Sequence, residues 1–194
     1  MTEAKSPRER YRMQMRAEIK QHAWGQIAAA GATSLSLNAI AKQVGMSGPA
    51  LYRYFASRDE LITELIRDAY RSLADTVRAA FDAGADVAKL AYTVRDWALS
   101  DPQRYFLVYG TPVPGYHAPA DTTAISDEIM TVLLEAHGRG PAAPADEHGR
   151  RRGALIFWTR VHGVLSLELA GHFAGMGFDP AVLFADEVDG LSTP

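Results

Sequence analysis

The chain has 194 residues, 47% of them hydrophobic, and a formal net charge of −3 at pH 7. This apolar content suits a packed core and excludes an intrinsically disordered chain. The sequence has no cysteine, which excludes disulfides and thiolate metal sites and fits a reducing cytosol. We expect a cytoplasmic protein, and we expect no cofactor.

Helical periodicity runs through almost the whole chain and no alternating strand pattern persists, so we predict an all-α fold of about nine helices. Residues 1–57 are predicted to form a head of three helices. Glycines end the first two helices, and serines begin the second and the third. These helices are predicted from Arg8 to Ala30, from Leu37 to Val44 after the N-cap Ser36, and from the N-cap Ser47 to Phe55.

Residues 58–194 are predicted to form a second, larger helical domain. Its long first helix starts at Arg58, where Ser57 and Glu60 form a capping box, and fades near Gly84. Segments rich in proline and glycine, 110–120 and 138–149, are predicted as a loop and a flexible connection. The other helices are predicted from Asp86 to Leu99, Gln103 to Tyr109, Thr122 to His137, Arg150 to Phe173, and Pro180 to Val188.

The most apolar stretch, from Gly153 to Phe173, is not predicted to cross a membrane because ionisable side chains, Glu168 and His172 among them, interrupt it. The N-terminus is charged and lacks an apolar signal core, so we expect no targeting segment. Glu168 and His172 are four residues apart, as metal ligands can be. Since no third ligand is evident, we predict no metal site.

The most informative stretch runs from Ser36 to Arg58, where two short helices flank a turn that contains glycine. This arrangement is typical of a helix-turn-helix, whose second helix enters the major groove of DNA. Residues 1–58 hold nine Lys and Arg but three Asp and Glu, so a basic head precedes an acidic remainder. Such a head favours a polyanionic partner, and the alternative is a solvated charged helix.

Three runs strongly resemble the DNA-binding domain of the TetR family of bacterial repressors: Ala39-Ile40-Ala41, Gly45 to Phe55, and Ser57 to Leu61. The similarity covers about residues 12–65, position by position. Tyr54 stands where the family often has His, and Arg58 where it often has Lys. In the C-terminal half, Trp158, His162 and Gly163 are similar to the Trp-His-Gly element of one TetR subgroup.

The resemblance implies a transcriptional repressor, not an enzyme, that binds a palindromic operator as a homodimer and is released by a small-molecule ligand. It implies that Tyr52, Tyr54 and Arg58 hold phosphates. Lys42 and Arg53 are expected to contact either phosphates or bases. The predicted DNA-binding set is completed by Asn38, Gly48, Pro49 and Ala50 nearest the bases, and by Ser36 and Ser47. The alternatives are packing against the first helix for both tyrosines and a plain surface charge for Arg53.

Two further sets of residues are predicted in the C-terminal domain. An aromatic set with polar tips is assigned to a ligand pocket, with ordinary core packing as the alternative. It comprises Tyr92, Trp97, Tyr105, Phe106, Tyr109, Trp158 and His162. An apolar set on the last two helices is assigned to the dimer interface, with packing inside the same protomer as the alternative. It comprises Val161, Leu165, Leu169, Phe173, Phe184 and Val188.

Two other function classes also fit this sequence. One is a helical enzyme or small-molecule carrier with an incidental basic end. No Ser/His/Asp motif, nucleophile elbow or phosphate-binding glycine loop is present to favour an enzyme. The other is an architectural DNA-binding protein without a ligand switch. A tightly packed C-terminal domain with no cavity would favour it.

Overall fold

The computed structural model describes residues 6–111, 113, 115–117, 119–139 and 146–191. Within these ranges the chain forms nine α-helices, one 3-10 turn (Ala32–Ser34) and no strand, which confirms the predicted all-α fold. The helices are α1 (Pro7–Ala30), α2 (Leu37–Gln43), α3 (Gly48–Leu51), α4 (Arg58–Asp82), α5 (Val87–Ser100), α6 (Pro102–Tyr109), α7 (Ala120–His137), α8 (Glu147–Leu169) and α9 (Pro180–Asp189).

Side chains cap several of these helices as the sequence predicts. The Ser36 hydroxyl accepts a hydrogen bond from the Ala39 amide at the start of α2. At the start of α4, the Ser57 hydroxyl accepts from the Glu60 amide over 3.0 Å. The reciprocal bond differs from the predicted capping box, because the Glu60 carboxylate accepts from the Ala56 amide one residue earlier.

Two helices end several residues earlier than predicted. The third helix was expected to reach Phe55, but α3 ends at Leu51 because the Arg53 and Tyr54 amides bond three residues back, which tightens the chain into turns. Helix α8 ends at Leu169 because Gly171 adopts a φ of 76°, a conformation that favours glycine. Part of the predicted flexible connection, residues 140–145, lies outside the described residues.

Contacts between Cα atoms divide the chain into two compact units. The first comprises residues 1–66 with 111–118, and the second comprises residues 67–110 with 119–194. Helix α4 therefore contributes its first residues to one unit and the rest to the other. The domain boundary predicted after residue 57 stays a prediction.

The first unit is a head whose helices bury one apolar face each. In α1, side chains four residues apart are buried, as expected of an amphipathic helix. Ile40 of α2, Leu51 of α3 and Leu61 of α4 are fully buried. Each short helix is thus held by its apolar side chains, and its opposite face is left to solvent.

The second unit has one apolar core. Helix α5 contacts α6, α7, α8 and α9, and its Leu90, Ala91 and Val94 are fully buried. Ion pairs join α4 to α7 along their exposed sides. Arg71 holds both carboxylate oxygens of Glu128 over 2.7 Å, and this bidentate bond raises the pKa of Arg71 and lowers that of Glu128.

Every helix within the described ranges is too short or too polar to cross a lipid bilayer.

Candidate functional site

The turn that follows α3 carries the exposed end of the helix-turn-helix. Leu51 and Phe55, four residues apart, are fully buried. Tyr52 and Arg53, between them, point away from the core, and Tyr52 is 47% exposed. The Tyr52 phenol and the Arg53 guanidinium are thus presented to solvent on a rigid support, as a contact to a phosphate backbone requires.

Tyr54 is half-buried, in contrast to Tyr52. Its backbone carbonyl accepts a hydrogen bond from the Arg16 guanidinium of α1. The same guanidinium lies 4.1 Å from the centre of the Phe55 ring and forms ion pairs with Glu60 and Glu64. Arg16, which sequence reasoning did not single out, therefore fixes the turn that presents Tyr52.

The residues predicted to lie nearest the bases come together at the start of α3. A Cβ placed on Gly48 would lie 3.3 Å from the Asn38 side-chain oxygen, so the Asn38 side chain rests against the α3 backbone. Asn38, Ser47 and Pro49 are exposed, and Ala50 is half-buried. In the described structure, the Ser47 hydroxyl makes no capping hydrogen bond. Lys42 is exposed on α2.

Two residues of the predicted DNA-binding set hold the head itself together. The Arg58 guanidinium donates hydrogen bonds to the backbone carbonyls of Ala32, Thr33 and Leu35, at 2.7, 3.2 and 3.2 Å. Ser36 caps α2 with its hydroxyl, while its amide donates to the Gln26 side chain. For both residues the geometry supplies a structural role, and their predicted contact to DNA stays a prediction.

The second unit brings five of the seven residues predicted to bind a ligand into one aromatic cluster. The His162 ring lies between those of Tyr109 and Trp158, with ring centres 4.3 and 4.2 Å away. Tyr105 stacks on His162 at 5.6 Å, and Phe106 contacts Tyr105. Residues from α6 and α8, far apart in sequence, thus form one surface of rings.

Polar atoms inside this aromatic cluster are only partly satisfied. The Tyr105 hydroxyl lies 2.8 Å from the Ser166 hydroxyl and 3.1 Å from Nδ1 of His162. Among the residues that the structure describes, the Tyr109 hydroxyl and Nε2 of His162 are buried without a hydrogen-bond partner. Unsatisfied buried polar atoms are costly, so they favour a bound group that would pair with them.

Burial determines the charge state of the aromatic cluster. Desolvation lowers the pKa of His162 to about 4 and raises the pKa of the Tyr109 hydroxyl. His162 and Tyr109 are therefore neutral at pH 7. Ser166 was missed by sequence reasoning, although its position four residues after His162 on one helix could have indicated it.

Tyr92 and Trp97, the other two predicted ligand residues, make different contacts. The Tyr92 ring packs on Phe184 with ring centres 5.5 Å apart. Trp97 is buried in the core, and its indole N–H donates to the Ser72 hydroxyl. Core packing, the alternative interpretation, describes the surroundings of Trp97 better than a ligand pocket does.

The predicted dimer interface needs correction. Val161, Leu165, Phe184 and Val188 are at most 2% exposed, because they fill the core of their own protomer. These four assignments are wrong, since such side chains have no surface left to offer a partner. Leu169 and Phe173, which are half-buried, stay predictions.

A different apolar stripe is exposed on the same two helices. Leu155 and Leu167 of α8 are 48% and 45% exposed, and Val182 of α9 is 58% exposed. Thr159 and Gly163 continue the stripe along α8 at four-residue spacing, and a Cβ on Gly163 would meet no described atom within 4 Å. Helix α8 is therefore apolar on two faces, and one of them is not covered by its own protomer.

Glu168, which with His172 has the spacing of a metal-ligand pair, binds another side chain. Its carboxylate forms an ion pair with Arg95 over 2.6 Å, and both side chains are 15% exposed. Among the described residues, no group of three or more potential ligands is arranged to hold a metal ion.

Comparison with known protein families gives two matches, one in each part of the chain. Residues 19–65 match a family described as bacterial regulatory proteins of the tetR family. Residues 87–191 match one described as a tetracyclin repressor-like C-terminal domain. The first match contains the helix-turn-helix, and the second contains the aromatic cluster.

Individual relatives agree with these matches. The HTH-type transcriptional regulator Rv1816 of Mycobacterium tuberculosis is 38% identical over 208 residues, which cover 89% of this chain and 88% of that protein. The crystal structure of SCO4313, assigned as a regulatory protein, is 61% identical with a TM-score of 0.90, covering 97% of this chain and all of that one. The fatty acid degradation regulator FadR from Bacillus halodurans shares the fold. It is 16% identical with a TM-score of 0.67, covering 90% of this chain and 96% of that one.

Proposed function

The chain belongs to the TetR family of bacterial transcriptional regulators, and from this premise we propose that it is a repressor that binds a palindromic operator as a homodimer and is released by a small-molecule ligand. Residues 1–57 would bind DNA, and residues 58–194 would bind the ligand and the second protomer. We place this activity in the cytoplasm. The observation that carries the proposal is the exposed Tyr52–Arg53 turn, held on buried Leu51 and Phe55.

In this proposal α3 enters the major groove of operator DNA. The small residues Gly48, Pro49 and Ala50 let its backbone approach the base edges, and the neighbouring Asn38 amide offers both a donor and an acceptor to them. Tyr52 and Arg53 contact the phosphates beside the groove. Phosphate contacts set the position of the helix, and the base contacts set the sequence that it prefers.

The homodimer would form through the exposed stripe of α8 and α9. An apolar stripe that a protomer leaves uncovered favours association, and Gly163 allows two helices to approach closely. A two-fold axis through the stripe would place Leu155 and Leu167 of one protomer against the same surface of the other. The two heads would then contact half-sites related by the same symmetry, about 34–36 Å apart or a multiple of that distance.

The ligand would bind at the aromatic cluster of α6 and α8. Neutral His162 and Tyr109 favour an uncharged polar group on an otherwise apolar ligand, because a charge would be desolvated there without a counter-ion. The spacing of Trp158, His162 and Gly163 supports assignment of this domain to the Trp-His-Gly subgroup. Helix α4 is the continuous segment through which ligand binding would change the spacing of the heads.

Selection of bound duplexes from random DNA by the full chain tests this function. The proposal expects enrichment of a palindrome whose half-sites are about one helical turn, or a multiple of it, apart. Enrichment of a single half-site would contradict the dimer, and no enrichment at low salt would contradict DNA binding. Enriched palindromes found upstream of genes would also identify the regulated functions and suggest the ligand.

A further inference from the structure

The first turns of α1 carry a row of arginines, and this part of the chain is already helical. The Ser6 hydroxyl accepts from the Glu9 amide and the Glu9 carboxylate accepts from the Ser6 amide, so the helix is fixed from Pro7 onward. Arg8, Arg12 and Arg16 follow at four-residue spacing and therefore share one face. These cations are carried by a rigid helix.

This row of arginines lies beside the turn that follows α3. The Arg12 guanidinium donates to the Arg53 carbonyl over 3.4 Å, and Arg16 donates to the carbonyl of the next residue, Tyr54. Arg12 thus lies next to the turn that carries the exposed Tyr52 and Arg53. Arg8 lies one helical turn further along the same face.

The charges in the row are compensated unequally. Arg16 forms ion pairs with Glu60 and Glu64. Within the described ranges, Arg8, Arg12 and Arg53 have no carboxylate partner. Three exposed cations in one patch repel each other. The attraction between each cation and a phosphate backbone would offset that repulsion.

From this patch we infer that Arg8 and Arg12 form a second phosphate-binding surface, outside the helix-turn-helix, which holds the DNA strand flanking the bases read by α3. The inference rests on the proposed DNA-binding function. Side chains four apart on a helix are about 5–6 Å apart at Cβ. This spacing allows the two guanidinium groups to contact neighbouring phosphates of one strand, while Arg53 and Tyr52 contact the backbone nearer the groove.

The test measures binding of the full chain to a labelled selected duplex over a series of salt concentrations. Each lost phosphate contact reduces the log–log slope by about 0.9. Arg12→Ala and Arg8→Ala are each expected to lose about that amount, and Arg12→Lys to retain the wild-type slope. The loss should be equal on a duplex of unrelated sequence, because phosphates carry no sequence information.

Arg10→Ala is the matched control, because Arg10 is on the same helix with the same charge but two residues out of the row. It is expected to keep the wild-type slope. A wild-type slope for Arg12→Ala, or an equal loss in Arg10→Ala, would overturn the inference while the proposed function stands. If the wild-type chain binds no duplex at low salt, the proposed function and this inference both fail. Thermal unfolding of each variant checks that the head is folded.

Discussion

The Arg58 guanidinium donates a hydrogen bond of 2.7 Å to the backbone carbonyl of Ala32. It also reaches the carbonyls of Thr33 and Leu35 in the same segment. The first residue of α4 thereby holds the chain that leads into α2, where the helix-turn-helix begins. The residue expected from the resemblance to hold a phosphate thus donates three hydrogen bonds within the protein.

Arg58→Ala is expected to destabilise the head by about 1–2 kcal/mol, since hydrogen bonds from a charged donor contribute up to about 3 kcal/mol and this side chain is partly solvated. Urea unfolding measures the free energy of unfolding. Arg53→Ala is the control and should leave it unchanged, because Arg53 is exposed. Unchanged stability in Arg58→Ala, together with a salt slope reduced by about 0.9, would instead favour the phosphate role.

Tyr52→Phe is expected to weaken binding to every duplex about tenfold, because it removes one hydroxyl contact to a phosphate, worth about 1.5 kcal/mol. Fluorescence anisotropy with operator and unrelated duplexes measures the change. Tyr92→Phe removes the hydroxyl of a tyrosine of comparable exposure in the second unit and should change neither affinity. Equal affinities for wild type and Tyr52→Phe would show that the phenol does not touch DNA.

Gly48→Ala is expected to alter sequence preference, because its Cβ would lie 3.3 Å from the Asn38 side-chain oxygen and displace that amide. Loss of one base contact costs about 1–3 kcal/mol of discrimination. A panel of single-base operator variants measures it. Gly25→Ala, where a Cβ meets no described atom within 4 Å, should keep the preference and stabilise α1 by up to about 1 kcal/mol. An unchanged preference in Gly48→Ala would remove Asn38 from the base contacts.

Leu167→Glu is expected to convert the dimer to monomer, because it places a charge in the apolar stripe. Sedimentation velocity measures the association state. Leu99→Glu changes a leucine of similar exposure at the end of α5 and should leave the dimer intact. A dimer that persists in Leu167→Glu would place the interface elsewhere.

Stability is expected to fall as the pH drops below about 6.5, because burial lowers the pKa of His162 to about 4. Between these two values the unfolded chain binds a proton that the native chain does not, so each pH unit costs up to about 1.4 kcal/mol. Urea unfolding at pH 7.5 and 5 should show a smaller loss for His162→Phe than for wild type. His172→Phe, at an exposed site, should behave as wild type. Equal pH dependence in all three would mean that His162 is accessible to protons in the native state.

Local signals in the sequence predicted the helices well. The serines before α2 and α4 and the periodic apolar residues of α4 fixed these elements, because capping and amphipathicity act within a few residues. The turn after α3 was not predictable in this way. Its Tyr54 carbonyl accepts a hydrogen bond from the guanidinium of Arg16, which is distant in sequence.

The sequence alone could not show which of the two apolar faces of α8 is buried. Along α8, Val161 and Leu165 lie on one apolar row and Leu155 and Leu167 on another, and both rows have helical spacing. Contacts with α5, α7 and α9 decide which row is buried, and they are tertiary. The aromatic cluster was predicted in part because ring type is visible in sequence, while the pairing of Tyr105 with Ser166 is not.

Photocrosslinking from position 52 measures whether the turn after α3 contacts duplex DNA. Tyr52 would be replaced by p-azidophenylalanine, which has nearly the same shape. The complex of this variant with the selected duplex would then be irradiated. A covalent adduct with DNA is expected from position 52, and none from the same replacement at Tyr92. A complex that binds DNA yet gives no adduct from position 52 would show that this turn does not contact the duplex.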